Sequence, residues 1–157
     1  MAEVDRVQFP ICVVTVDVTV VVDDMRNCVP KWLKTRCMRE SEAAGFAFER
    51  LDVYQRAIEF LVVVARIISE LPSGNASLTD QLRRAALSVP VNVAEGVGRS
   101  SAPDRRRHCA IARGEPAMEC AAILDACRVL QLASPDLLAD GRSLLLRVVQ
   151  MLSKMCA

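Results

Sequence analysis

Apolar residues recur at spacings of three and four from residue 46 onwards, which is the period of an amphipathic α-helix. In "FERLDVYQRAIEFLVVVARIISELP" this period predicts a helix that ends near Pro72 and has an inward-facing stripe formed by Leu51, Tyr54, Ile58, Leu61, Ala65 and Ile68. Residues 60–65 are apolar on every side of that helix. We therefore expect a second apolar surface, which a partner subunit would cover.

A second helix is predicted to begin near Ser77, whose hydroxyl can cap the first turn. Its inward-facing stripe consists of Leu78, Leu82, Ala85 and Val89. Pro90 cannot donate a hydrogen bond to the carbonyl of Ala86, so we expect the helix to kink there and to continue through "VNVAEG". Gly96 and Gly98 are predicted to end it.

Capping signals predict two further helices. Ser101 and Pro103 in "SAPD" mark the start of a third helix, and Ser134 and Pro135 in "ASPDL" mark the start of a fourth. The fourth helix has one apolar face, formed by Leu145, Val148, Leu152 and Met155. Four helices with short connections favour an all-α fold, an antiparallel up-and-down four-helix bundle over residues 46–157.

Residues 1–45 differ from the rest of the chain. "ICVVTVDVTVVVDD" is rich in valine and alternates weakly, which is typical of a β-strand, and it is too short to span a membrane. The residues after it mix proline, glycine and charge without a helical period. We interpret residues 1–45 as a poorly ordered N-terminal extension. One hypothesis is that the true start is Met38, which peptides from residues 1–37 in mass spectra of the native protein would contradict.

Composition narrows the class of protein. A chain of 157 residues is about one domain, and 20 basic against 19 acidic side chains give no global charge signal for nucleic acid or membrane. The 7 cysteines include no Cys-x-x-Cys pair and follow no secretory signal, so we expect reduced thiols in a cytoplasmic protein. Cys120 and Cys127 lie one heptad apart on an apolar stripe, where we expect them to be buried as small hydrophobic groups.

No catalytic motif stands out in the sequence. His108 is the only histidine, and it lies in a basic turn that we expect to be exposed, without an adjacent nucleophile or carboxylate pair. "GVGRSS" resembles a dinucleotide-binding loop only weakly, because no strand precedes it. We therefore expect no enzymatic activity, no metal site and no cofactor.

Charge distribution gives the main lead to function. Glu95 and Asp104 are the only acidic residues between positions 81 and 113, whereas the basic residues there are Arg83, Arg84, Arg99, Arg105, Arg106, Arg107 and Arg113. Arginine binds phosphate through forked contacts and stacks on bases. One open function is binding of RNA or DNA, with backbone contacts centred on the loop "GRSSAPDRRRH". The other is a structural or protein-binding scaffold, whose arginines are solvated or lie at subunit interfaces.

Polar residues within "SVPVNVAEGVGRSS" need partners if the bend at Pro90 buries them. Asn92 can bond backbone groups left open around the proline. Glu95 can pair with Arg84 or Arg113 across the second and third helices, which would fix the relative position of the two helices. The alternative for Glu95 is a solvated carboxylate at a helix end.

Several segments resemble a known family. "FERLDVYQRAIEF", "LPSGN", "QLRRAALSVPVNVAEGVGRS", "AIARG" and "AMECAAILD" are similar to bacterial four-helix-bundle proteins encoded within intervening sequences of large-subunit ribosomal RNA genes. The resemblance covers residues 46–157. It implies a bundle that assembles into a ring, typically a homopentamer, without enzymatic activity and with a suspected role in binding nucleic acid. It also implies a similarity in fold to the accessory protein of diversity-generating retroelements, which binds a reverse transcriptase and RNA.

One segment departs from that family's pattern. The family usually has Gly-Ser-Ala-Met-Glu in the middle of the third helix, whereas this chain has "GEPAME", with Glu115 and Pro116 in place of the serine. One inserted residue rotates the following residues by about 100°, and Pro116 removes the hydrogen bond to the carbonyl of Ala112. We therefore predict an irregularity within residues 114–117.

Overall fold

The computed structural model describes residues 45–156, and this part of the chain is helical. A short 3-10 helix, Ala47–Arg50, precedes the α-helices, which are α1 (Asp52–Glu70), α2 (Ala76–Val97), α3 (Ala102–Arg113), α4 (Glu115–Val129) and α5 (Pro135–Cys156). The all-α fold is confirmed for these residues, and no helix among them has the length and apolarity to cross a membrane. The predictions for residues 1–44, including the extension and the start at Met38, lie outside the described residues.

The helices form a bundle with four helical positions, because α3 and α4 together take the place of the predicted third helix. α1 packs against α2 and α5, and α3 and α4 pack against the same two helices, so α1 lies diagonally across from them. The N–H of Ser134 before α5 donates to Glu70 at the end of α1 over 2.7 Å. The Cys156 thiol at the end of α5 donates to the Arg106 carbonyl near the start of α3 over 3.9 Å. Each contact joins the end of one helix to the start of another, so α5 runs antiparallel to both α1 and α3.

α1 has a different buried face from the predicted one. Each of its buried residues directly precedes a member of the predicted stripe, and the buried set is Val53, Ala57, Phe60, Val64 and Ile67. Of the predicted stripe, Ala65 is exposed, and the half-buried members are Leu51, Tyr54, Ile58, Leu61 and Ile68. The centre of the buried face thus lies one residue, or about 100° of rotation, from the predicted stripe, although four members of that stripe pack against the edge of the core: Leu51, Tyr54, Leu61 and Ile68. Both stripes are apolar, and the run at residues 60–65 contains no polar side chain that distinguishes them.

α2 continues through Pro90, as predicted, and the proline is buried in the core. Asn75 precedes the first residue of α2, so Ser77 lies in the first turn and is not the cap that the sequence suggested. The reason is that Asn75 closes the turn before the helix, where its side-chain amide donates to the Pro72 carbonyl over 3.0 Å. The helix ends one residue before Gly98, which agrees with the prediction.

The third predicted helix is interrupted at Gly114, where a ψ of −106° leaves the helical region. α3 ends at Arg113, and α4 begins at Glu115 with Pro116 in its first turn. Pro116 has no N–H for the carbonyl of Ala112, and the first turn of a helix is the place where a proline is tolerated. The irregularity predicted within residues 114–117 is confirmed.

The core consists of small and branched aliphatic side chains around Phe60, which is the only fully buried aromatic residue in the described part of the chain. Cys120 and Cys127 are fully buried in this core, as predicted. Burial raises the pKa of the Cys120 thiol to about 12 and also raises the pKa of Cys127. Both thiols therefore stay protonated and pack as small hydrophobic groups.

Candidate nucleic-acid interface

The junction between α2 and α3 consists of the last turns of α2, residues 98–101 and the first turns of α3. Ser101 caps α3, as predicted: its hydroxyl oxygen accepts from the Asp104 N–H at 3.2 Å, and its O–H donates to the Asp104 carboxylate at 2.7 Å. An N-cap of this kind satisfies a helix N–H that would otherwise lack a partner. The cap therefore defines where α3 begins and keeps the Asp104 carboxylate beside the loop.

Gly96 allows α2 and α3 to approach each other closely. The glycine is buried, and a Cβ at this position would lie 3.1 Å from the Cβ of His108 and 3.4 Å from the carbonyl oxygen of Arg105. A side chain here would press against the main chain of α3. Gly96 was predicted to end the helix, but it lies within the last turn of α2, where the close contact with α3 explains the need for glycine.

His108 lies against this helix contact with only 15% of its side chain exposed. The Nε–H of Arg99 donates to its Nε2 at 3.1 Å, and its Nδ1 lies 3.4 Å from Oε2 of Glu95. Glu95 therefore contacts His108, and the predicted pairing with Arg84 or Arg113 was wrong. Glu95 lies in the last turns of α2, whereas Arg84 lies about three helical turns earlier and Arg113 more than one turn beyond His108.

We define the arginine end as the exposed side chains of Arg99, Arg105, Arg106 and Arg107. The last three of these form no ion pair within residues 45–156. The two carboxylates of the junction have other contacts, because Asp104 bonds Ser101 and Glu95 faces His108. The N-terminus of α3 adds the positive end of a helix dipole. Four arginines and two carboxylates lie at this junction, so among the described residues this end of the bundle has a net positive charge.

The other three predicted arginines lie apart from the arginine end. Arg83 forms an ion pair with Asp80 at 3.2 Å. Arg84 is separated from Gly98 by about 21 Å along the axis of α2, at about 1.5 Å per residue. Arg113 is half-buried at the end of α3. The structure thus divides the predicted set, and only part of it lies at the loop.

Asn92 bonds the backbone near Pro90, but not the group that the proline leaves open, so the predicted partner was wrong. Its Nδ2 donates to the Ser88 carbonyl at 2.8 Å and to the Ser88 hydroxyl at 3.1 Å. Pro90 has no N–H for the carbonyl of Ala86, which lies two residues before Ser88. The amide of Asn92 therefore supports the turn that contains the proline and does not replace the missing helical bond.

The chain matches the family model of the 23S rRNA-intervening sequence protein over residues 49–154. It belongs to the family of 23S rRNA-intervening sequence proteins. The matched residues include all of α1 to α4 and nearly all of α5, and therefore both the α2–α3 junction and the interruption at Gly114. The resemblance to intervening-sequence proteins that was found in the sequence is confirmed over this range. No curated protein sequence matches the chain significantly.

A second basic surface of this family member was missed by the sequence analysis. A groove of about 580 Å³ lies between α1 and α5. Arg147 and Lys154 line it from one face of α5, and neither forms an ion pair within the described residues. Arg56 lines it from α1 and is paired with Asp52 and Glu59. The spacing of seven residues between Arg147 and Lys154 was the signal available in the sequence.

His108 lies in a different environment from the one that the sequence predicted. The histidine was expected in an exposed basic turn, whereas its ring is mostly buried between Glu95 and Arg99. Neither contact follows from a spacing within one helix, because both depend on how the loop turns α3 back against α2. Only the geometry of the junction shows that the single histidine joins these two charged residues.

Proposed function

We propose that this protein is a non-enzymatic RNA-binding bundle that contacts the phosphate backbone through the arginine end. The proposal rests on the exposed charge of three arginines that form no ion pair within residues 45–156 and lie beside the N-terminus of α3, namely Arg105, Arg106 and Arg107. Phosphate is an anion that arginine binds through forked, charge-assisted hydrogen bonds. The family name refers to 23S rRNA, which supports RNA as the first polyanion to test.

We expect backbone contacts to dominate this binding. Residues 98–113 contain no Phe, Tyr or Trp on which a base could stack, and the ring of His108 is engaged by Glu95 and Arg99. Contacts to phosphate position a nucleic acid but do not read its sequence. Affinity should therefore vary little among RNA sequences of equal length and fall steeply with salt, and single-stranded DNA should bind through the same contacts.

The proposal includes a homo-oligomer, for which the family resemblance suggests a pentamer. Phe60 and Val64 of the predicted apolar run are buried inside the bundle, so α1 offers a smaller second surface than expected. α2 carries exposed apolar side chains instead, since Leu87 is 52% exposed and Val91, one turn later, is 43% exposed. A closed ring would bury this face repeatedly and would place several arginine ends in one particle, which raises avidity for long RNA.

The proposal also places the protein in the cytoplasm. Cys109, Cys120, Cys127 and Cys156 are all free thiols in the described part of the chain. Free thiols persist in a reducing compartment, whereas oxidising compartments favour disulfides.

Fluorescence anisotropy with a labelled single-stranded RNA oligonucleotide tests the RNA-binding proposal. Replacing Arg105, Arg106 and Arg107 together by Ala should lower the affinity by roughly 100-fold at about 0.1 M salt, if each arginine contacts one phosphate. The slope of log K against log salt should become shallower by about 0.7 for each phosphate that the variant no longer binds. Unchanged affinity and slope in a folded variant would show that these arginines are only a solvated surface.

A charge-matched variant separates a local site from a general effect of charge. Replacing Arg66, Arg83 and Arg128 by Ala removes the same charge from the opposite half of the bundle, near the end of α1, the start of α2 and the end of α4. We expect roughly a threefold loss at most, because salt screens exposed charges beyond a Debye length. Equal losses in the two variants would contradict a site at the arginine end. Circular dichroism and light scattering show whether both variants keep the wild-type fold and size.

Light scattering tests the oligomer separately. The wild-type protein should have a mass several times that of its 17.2 kDa chain at micromolar concentration. The double variant Leu87→Glu with Val91→Glu should be smaller, because it places charge on the face that we propose to be covered. Leu146→Glu changes an equally exposed leucine on α5 and serves as the control. A monomeric wild-type protein would refute the ring.

A protein-binding scaffold, such as an accessory subunit of a reverse transcriptase, is the second candidate function. The groove between α1 and α5 favours it, because exposed Leu146 lies beside Arg147 and Lys154, which form no ion pair with any described residue. Such a surface suits an acidic and partly apolar segment of another protein. A scaffold would retain a specific protein in pull-downs without binding RNA, and replacing Arg147 and Lys154 by Ala would release that protein.

A further inference from the structure

Both ring nitrogens of His108 have charged neighbours on the same end of the bundle. Glu95 faces Nδ1 from α2, and Arg99 faces Nε2 from the loop 98–101. On α3 itself, Asp104 and Arg105 lie one turn before the histidine, and Asp104 is held by Ser101. The imidazole is therefore placed between one carboxylate and one guanidinium.

The contact with Arg99 determines which nitrogen carries the proton. A guanidinium has N–H donors and no acceptor, and it stays charged at all ordinary pH values. Because the Nε–H of Arg99 donates to Nε2 at 3.1 Å, Nε2 must be unprotonated in this arrangement. The proton of the neutral ring then lies on Nδ1, which is buried, forms no hydrogen bond within the described residues and lies 3.4 Å from Oε2 of Glu95. The observed geometry is thus that of a neutral histidine.

We infer that His108 is a proton-controlled latch on Arg99. The neutral ring holds the guanidinium against the α2–α3 junction through Nε2. In the protonated ring Nε2 becomes a donor, so the hydrogen bond breaks and two positive groups face each other. Glu95 still attracts the ring, so protonation favours the contact with Glu95 over the contact with Arg99.

Arg99 is the partner that moves when the latch opens. His108 is packed against Gly96 at the helix contact, with little room to shift. Arg99 is exposed and belongs to the loop between the helices. Release therefore turns the guanidinium towards solvent, beside Arg105, Arg106 and Arg107. This inference rests on the proposed function in one respect, because the released arginine supplies a further phosphate contact at the arginine end.

The pH dependence of RNA binding tests the latch. Histidine ordinarily changes charge between about pH 5 and 8. On acidification through this range at constant ionic strength, the wild-type affinity for a single-stranded RNA oligonucleotide should rise, and the slope of log K against log salt should steepen by about 0.7, as expected for one further phosphate contact. In Arg99→Gln this steepening should be absent, because the variant has no guanidinium to release. Acidification then changes only the charge of His108 itself. An equal steepening in wild type and Arg99→Gln would overturn the latch.

A second variant keeps the hydrogen bond and removes the titration. In His108→Gln the amide oxygen can accept from Arg99, and the side chain does not ionise in this range. We expect this variant to bind RNA as the wild type does near pH 8 and to show no change in salt slope on acidification. A pH response as large as that of the wild type would contradict control by His108.

Nuclear magnetic resonance of the RNA-free wild-type protein separates the latch from the proposed function. The Nε–H signal of Arg99 should be protected from exchange with water near pH 8 and should lose this protection as His108 becomes protonated. Protection that persists after protonation would overturn the latch, whatever the RNA data show. Loss of protection in a protein that binds no RNA at any pH would support the latch and refute the proposed function.

Discussion

Gly96→Ala tests whether the close approach of α2 and α3 depends on a missing side chain. The new Cβ would lie 3.1 Å from the Cβ of His108, which is closer than most such contacts in proteins, so the neighbour must move by a few tenths of an ångström. The Cβ of His108 is attached directly to the main chain of α3. Relief therefore requires α3 to move, and this movement disturbs the buried contacts of Cys109 in the next position.

Two opposing effects set the size of the change. Overpacking a well-filled site costs about 1–3 kcal/mol, whereas alanine is about 1 kcal/mol better than glycine inside a helix. The contact at 3.1 Å involves a helix and not the free end of a side chain, so we place the overpacking cost near the middle of its range. The expected net loss is about 1 kcal/mol of unfolding free energy, or roughly 4 °C in Tm for a domain of this size.

Urea unfolding followed by far-ultraviolet circular dichroism measures this loss, and Gly98→Ala is the matched control. Gly98 is exposed, has an ordinary helical φ of −69°, and a Cβ there would lie no closer than 3.4 Å to the Glu95 carbonyl oxygen. We expect Gly98→Ala to stabilise the protein by about 0.4–1 kcal/mol, because alanine restricts the unfolded chain. If Gly96→Ala is as stable as the wild type while Gly98→Ala behaves as expected, steric contact is not the reason for glycine at position 96.

Three further predictions concern stability. Ser101→Ala should cost about 1 kcal/mol in urea unfolding because it removes the cap of α3, and a loss near zero would contradict that role. Phe60→Ala should cost about 3–5 kcal/mol and Leu61→Ala clearly less, and the reverse order would contradict the buried face of α1. The unfolded chain loses the Cys120 proton near pH 9.0 and the folded chain only near pH 12, so unfolding free energy should fall as pH rises above 9.0. The midpoint in urea should fall less in Cys120→Ala, and equal declines would contradict a contribution from this thiol.

Much of the fold could be predicted from local signals. The cap at Ser101, the end of α2 before Gly98 and the interruption at Gly114 follow from residues whose preferences depend on their immediate neighbours. Proline and glycine restrict or free the backbone wherever they occur, so their effects do not depend on the rest of the fold. These positions divide the chain into helices, and short connections between helices leave an antiparallel bundle as the simplest arrangement.

The buried face of α1 could not be predicted because two faces satisfy the same rule. The stripes that contain Phe60 and Leu61 are related by one residue, and both avoid the charged side chains of α1. The choice between them depends on the shapes of α2 and α5, which pack on either side of α1. Gly141 on α5 illustrates the point, because its missing side chain leaves room for Val63 and Ile67. Periodicity indicates that a helix is amphipathic, but the neighbouring helices decide its rotation.

The candidate site was only partly predictable for a related reason. The arginines between positions 81 and 113 belong to two helices and a loop. They do not form one cluster, because the two ends of a long helix lie far apart in a bundle. Arg84 and Arg99 belong to one segment of sequence but to different regions of the molecule. Conversely, Glu95, Arg99 and His108 meet only because the loop turns the chain back on itself.

Some residues of the α2–α3 junction contribute to packing and others to surface charge. Substitutions can distinguish the two groups, because one group should change stability and the other RNA binding. Gly96 fixes His108 in place, and His108 holds Arg99, so a substitution at Gly96 should alter both stability and the pH response of binding. Arg105, Arg106 and Arg107 are exposed and form no ion pair in the part of the chain that the structure describes, so their replacement should alter binding with little effect on stability. A loss of stability in the triple arginine variant as large as that of Gly96→Ala would show that these arginines take part in packing, and the binding data would then have to be interpreted as an effect of the fold.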